Sequence, residues 1–306
     1  MTRPSLPTKT DLLLLVVLAT LWGASYTFIK VGVASIPPIT LIAARTLIAG
    51  LLLLMLLRAR GLSLPRNLAT WRSFLFQACL NSVVPFTLIA WAERTVEAGL
   101  ATILNATTPV FVCLLTLCIT RHEALSPLKL FGVAAGIVGT CLIIGMQALD
   151  GLGHALWAQL AIVAATVCYA GAAIFGRTFG GHDPIIPAAG SLLCGAAILL
   201  PLSVLVERPW TVVPSTDSLW ALGALAVFST ALAFVIYFRL VHTLGSVGTA
   251  AQAYLRVPIG VAIGVLFLGE TLNPDAWLGM GCILVGVIAM TLPAGTRLFK
   301  RFGVRT

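Results

Sequence analysis

Residues 123–139 read EALSPLKLFGVAAGIVG, and residues 270–286 read ETLNPDAWLGMGCILVG. At a constant offset of 147 positions, Glu123 aligns with Glu270, Leu125 with Leu272, Pro127 with Pro274, Gly132 with Gly279 and Gly139 with Gly286. Upstream, Pro109 corresponds to Pro258, and Gly99 and Gly248 precede them at similar distances. An ordered set of matches of this kind marks an internal repeat, and the architecture depends on the sequence around each copy.

Both copies lie in strongly apolar sequence. Of the 306 residues, 59% are hydrophobic and only 9% charged, with a mean hydropathy of +1.04. Soluble domains carry about 25% charged residues, so this chain has too few charges to cover a water-exposed surface. In hydrocarbon, every backbone polar group must be paired inside the protein, which leaves helices or a closed barrel. Segments such as 47–57 and 257–268 are apolar on every face rather than alternating, which selects helices over barrel strands.

A spanning helix needs about 20 mostly apolar residues. The chain supplies ten such stretches: 11–30, 38–57, 71–92, 98–119, 127–147, 154–176, 184–206, 217–238, 247–268 and 275–293. Proline pairs, glycines and charges such as Pro37-Pro38, Arg58–Arg66 and His242–Gly245 separate them. The N-terminal stretch resembles a signal peptide, but its apolar run continues through Trp22–Ile29 and is read as a retained first span. Assigning alternate loops to opposite faces puts 14 Lys and Arg on the side of the termini and three (Lys30, Arg94 and Arg208) on the other. Cytoplasmic termini are therefore expected. This placement at helix ends, rather than in one patch, also argues against nucleic acid as the partner of the +9 net charge.

Each repeat unit holds five spans, residues 1–150 and 151–306. Five is odd, so the second copy enters the bilayer in the opposite sense. The expected fold is all-α and integral to the membrane: ten transmembrane helices as two inverted five-helix repeats around a central cavity, a recurring plan of secondary transporters.

These residues resemble the drug/metabolite transporter superfamily, in particular its ten-helix members with paired EamA-type repeats. The resemblance rests on Leu21-Trp22-Gly23-Ala24-Ser25, on Pro38 followed by Arg45, and on the Pro109…Glu123-x-Leu125-x-Pro127…Gly132…Gly139 run with its second copy. It covers nearly the whole chain and is closest to bacterial inner-membrane exporters of aromatic amino acids and related metabolites. It implies that spans one to four and six to nine surround the cavity, with five and ten peripheral. It identifies the fold well and the substrate poorly.

Candidate site residues come from polar and aromatic groups inside spans. A cation within a span is costly and marks function or a structural tie. Arg256 sits two residues before Pro258 beside Gln252 and Tyr254, and it admits two readings: a partner for a substrate carboxylate, or a donor to carbonyls freed by the proline. Arg45 is read as a helix-pinning residue. Asn81 and Pro85 in span three, and Asn105 before Pro109 in span four, offer cavity-lining groups, or interhelical hydrogen bonds as the plainer alternative. Trp22, Tyr26 (one turn on), Tyr169 and Tyr254 are the aromatic candidates for stacking on substrate, against a packing role. Trp157, Trp210, Trp220 and Trp277 are expected at the interface. Glycine faces at Gly132/Gly136 and Gly279/Gly281/Gly286 suit close helix crossing within one bundle, with a dimer through span ten as the alternative.

No Asp, Glu or His falls in mid-span, so facilitated transport or exchange is expected rather than proton coupling. The same feature speaks against an intramembrane enzyme, for which no nucleophile–base set is visible. No cofactor or catalytic residue is expected. The seven cysteines are scattered without metal-ligand spacing, so no metal site is expected either. Direction of transport and substrate stay open at this level, with a cation or drug exporter and a channel as the competing readings.

Overall fold

The computed structural model describes residues 8–92, 94–96, 104–120, 126–144, 155–259 and 274–292. All secondary structure among them is helical. We number the helices α1 (Lys9–Gly32), α2 (Pro38–Ala59), α3 (Leu68–Ala92), α4 (104–120), α5 (Pro127–Ile144), α6 (Leu156–Gly176), α7 (Ile185–Val206), α8 (216–244), α9 (246–259) and α10 (Pro274–Thr291). Among the described residues, six helical runs are long and apolar enough to cross a bilayer, and α4, α5 and α10 contain shorter apolar runs. The acidic ends of both repeat copies (123–125 and 270–273) and Gly99 lie outside the described residues, as does the second half of span nine.

Local chemistry explains the starts. Thr8 and Asp11 form a reciprocal capping box on α1, Pro38 occupies the first turn of α2, and Asn67 and Ser215 cap α3 and α8 through their side chains. One boundary differs from expectation. The sequence suggests a break over His242–Gly245, but helix continues to Leu244, bends at Gly245 (φ 75°, ψ 177°) and resumes at once. Only glycine adopts that backbone without strain. Span eight is accordingly longer than its apolar stretch.

Helix pairing repeats in a symmetric pattern. The α1–α8 contact is mirrored by α3–α6, and α2–α8 by α3–α7, while α2 packs on α7 and α5 on α10. The last two pairs join equivalent helices and both run antiparallel. The start of α2 meets the end of α7, where Glu207 accepts the Ile39 and Thr40 amides at 3.0 and 2.7 Å. In α5–α10, a Cβ on Gly132 would stand 2.7 Å from the Gly286 carbonyl oxygen, and one on Gly139 would stand 2.6 Å from that of Gly279. Those four residues are the aligned glycines of the repeat, and each contact is the other with the copies exchanged. A two-fold axis across the helices produces this pattern. The glycine faces thus close the bundle internally; Gly281, in contrast, faces open space. The four tryptophans expected at the interface are all exposed.

Among the described residues, three helices carry π turns: Cys79–Val83 in α3, Thr116–Thr120 in α4 and Val227–Leu232 in α8. Each adds a residue to the turn and rotates the remainder of its helix. Those in α3 and α8 occupy equivalent places in the two copies and border the central cavity.

Candidate functional site

The central cavity lies between α1, α2, α3 and α4 on one side and α6, α8 and α9 on the other. It encloses about 720 Å³, its open mouth included. Each helix presents one stripe to it, and the stripes obey helical spacing. On α1 the stripe is Trp22, Ser25 and Ile29; on α9 it is Thr249, Gln252 and Arg256. The Arg256 Nε–H donates to Gln252 Oε1 at 2.8 Å, as four-residue spacing allows. Its guanidinium carbon lies 5.1 Å from the centre of the Trp22 ring. A Cβ on Gly23 would stand 3.8 Å from that of Arg256, so α1 and α9 are in close contact here.

Arg45 enters the same cavity from α2. It is 1% exposed. Its Nε–H donates to Thr230 Oγ1 at 2.5 Å and an Nη2–H to the Ser229 carbonyl at 3.3 Å, while its guanidinium carbon sits 4.0 Å from the centre of the Phe86 ring. The Ser229 carbonyl also accepts the Trp22 indole N–H at 3.1 Å, and Ser229 Oγ donates to the Leu21 carbonyl at 2.7 Å. This carbonyl belongs to the π turn of α8 and ties α1, α2 and α8 at one point. Arg45 therefore combines the pinning role expected for it with a place on the cavity wall.

Asn105 and Thr108 line the cavity where α4 is interrupted at Ala106–Thr107, ahead of Pro109. Thr108 Oγ1 donates to the Asn105 carbonyl at 2.7 Å, and Thr107 Oγ1 to that of Leu104 at 2.6 Å, so hydroxyls serve carbonyls at the break. Asn81, Phe86 and Ile89 line it from α3, and Tyr169 and Ala173 from α6, with Tyr237 from α8. Asn81 is 2% exposed, and its Nδ2 has no hydrogen-bond partner among the described residues. Phe86 stands between Tyr169 and Phe234, with ring centres 6.4 Å from each.

Of the sequence candidates, Trp22, Asn81, Asn105, Tyr169, Gln252 and Arg256 converge on this cavity. The side chain of Tyr26 lies outside the described residues. Two candidates are placed elsewhere. Tyr254 is 0% exposed; its hydroxyl donates to the Val133 carbonyl at 3.0 Å and its ring fills the space over Gly136. It lies two residues from both Gln252 and Arg256, about 200° around the helix, so it packs α9 onto α5. Pro85 is buried off the cavity, because the π turn brings Phe86, five residues beyond Asn81, round to the wall instead of the residue four beyond. Sequence reasoning missed Ser25 and Thr249; their three-residue spacing from Trp22 and Gln252 is the signal that could have found them.

An all-helical bundle of apolar spans around a polar and aromatic cavity defines a membrane transporter. The chain belongs to the EamA-like transporter family, whose model matches residues 9–145 and again 156–292. It is 29% identical over 274 residues to the inner membrane transporter YedA of Escherichia coli (strain K12), covering 89% of this chain and 87% of that protein. It is 25% identical to the transporter YoaV of Bacillus subtilis (strain 168), covering 90% and 95%. A solved crystal structure shares the fold with a TM-score of 0.75 at 18% identity, covering 92% of this chain and 97% of the other.

Proposed function

We propose that this chain is an alternating-access carrier of small organic metabolites, amino acids with aromatic side chains among them, acting as an exporter or facilitator. The observation that carries this reading is the composition of the cavity wall. A guanidinium held over an indole ring and tethered by Gln252 supplies a carboxylate partner. Phe86, Tyr169 and Tyr237 supply apolar faces for a flat side chain. Asn81 and Asn105 supply amides on the same wall.

The transport unit on this reading is two five-helix units, residues 1–150 and 151–306, rocking about the cavity as a monomer. The double family match and the exchanged glycine contacts of α5 and α10 support that division. The excess of Lys and Arg beside the termini supports a cytoplasmic placement of both, and the name of the YedA relative supports the inner membrane. Facilitated transport or exchange is the mode we assign.

The test is uptake into proteoliposomes of a labelled panel: an aromatic amino acid, a branched one, a purine and a quaternary-ammonium compound. The expected result is saturable uptake with counterflow for the aromatic amino acid, lost selectively for carboxylate substrates in Arg256→Ala. Equal transport of every carboxylate by that variant would reject the site, and conductance without counterflow would reject the carrier.

A further inference from the structure

A second crevice lies at the ends of the spans, separate from the central cavity and sharing no wall residue with it. It sits where α6 ends, α7 begins and α8 approaches its own end, and measures about 450 Å³ with its open mouth included. Its floor is apolar: Phe179, Pro184, Pro187 and Phe238. Its polar groups are Arg239, His182 and His242, all exposed, with Thr243 beside them.

The crevice is built by the fold. The Gly180 amide donates to the Arg177 carbonyl at 3.1 Å and the His182 amide to the Phe179 carbonyl at 2.9 Å, which closes the α6–α7 turn. A Cβ on Gly180 would come within 2.7 Å of the His242 ring, so the missing side chain is what lets that imidazole lie against the turn. Phe179 and Phe238 meet edge to face, ring centres 5.9 Å apart, and fix α8 against the turn. The nearby acid, Asp183, is engaged as an acceptor of the Ile185 amide at 3.0 Å, at the start of α7.

An apolar floor with a cationic, N–H-donating rim at the level of the headgroups matches one ligand chemistry: a phosphate diester carried on a hydrocarbon body. We infer that this crevice binds the headgroup of an anionic phospholipid, phosphate against Arg239, His182 and His242 and glycerol and upper acyl carbons on Phe179 and Phe238. A lipid bridging the α6–α7 turn to α8 would bias the relative position of helices that also wall the central cavity, which makes transport sensitive to bilayer composition.

The experiment is native mass spectrometry of the purified full chain titrated with phosphatidylglycerol or phosphatidylcholine, with glycerol 3-phosphate as a soluble arm. The expected result is preferential retention of phosphatidylglycerol, weakened roughly fivefold or more in Arg239→Gln/His242→Gln, since a basic group near an anionic headgroup supplies about that factor. Both positions are exposed, and a melting curve of the variant verifies its folding. Gly180→Ala keeps every charge but displaces the His242 ring, and an intermediate loss is expected. Equal retention of the two lipids, or no change in the double variant, would overturn the inference. So would binding of glycerol 3-phosphate as tight as that of the lipid, which would make the ligand a soluble phosphate. None of these outcomes bears on the transported substrate.

Discussion

Replacing Asn81 by Leu separates a binding residue from a structural one. Asn81 is 2% exposed on the cavity wall, and its Nδ2 donor meets no acceptor among the described residues. A buried donor in that condition costs roughly 1–3 kcal/mol, and Leu shares the branched outline of Asn, with its extra bulk directed into the cavity, so the substitution removes the cost without opening a void. Asn81→Leu is therefore expected to melt at a higher temperature than the parent without substrate, with a gain of about 1–2 kcal/mol. With substrate the sign reverses. A donor to a carbonyl or carboxylate is worth about 1–3 kcal/mol, so the apparent affinity in proteoliposome uptake should fall by roughly ten- to a hundredfold. The assay pair is thermal unfolding in detergent and saturable uptake in liposomes, on the same preparation. A variant that loses stability and transport together would refute the reasoning, since Asn81 would then be interhelical glue. Unchanged uptake would refute it too.

Other contacts in the bundle lead to four further expectations. Tyr254→Phe deletes the hydrogen bond to Val133 and should cost about 1 kcal/mol of stability while leaving uptake kinetics unchanged, as thermal melts and uptake will show. Gly286→Leu places a side chain 2.7 Å from the Gly132 carbonyl oxygen; it should separate α5 from α10 and lower the melting temperature far more than Gly281→Leu, which enters open space. Glu207→Ala removes the acceptor of the first α2 amides and should destabilise by about 1 kcal/mol, measurable by denaturation. Cysteine labelling at Ser126 and Asp275, which lie near the starts of the two repeat copies, should occur from opposite faces of the bilayer; labelling of both from one face would reject the inverted arrangement.

Much of this molecule is legible in its sequence. Apolar runs longer than the hydrocarbon thickness, broken by Pro, Gly and charge, determined helices in a membrane, because no other closed backbone pairing fits such runs. The 147-residue offset, joining units of five spans, points to an inverted pair, and the glycines aligned by that offset are those that meet across α5 and α10. What sequence could not determine was the rotation of each helix about its axis. In a lipid-embedded bundle, lipid-facing and core-facing residues are both apolar, so the pattern that orients a soluble helix is weak. Tyr254 reads as a cavity residue by proximity to Arg256, yet helical rotation turns it to α5. Arg45, read as a pin, is a tie that also faces the cavity. The π turns in α3 and α8 shift the facing residues by one, moving Phe86 in and Pro85 out. Such a turn is a compromise between neighbouring helices rather than a property of its own residues, so only the packed tertiary structure could decide where the cavity wall would lie.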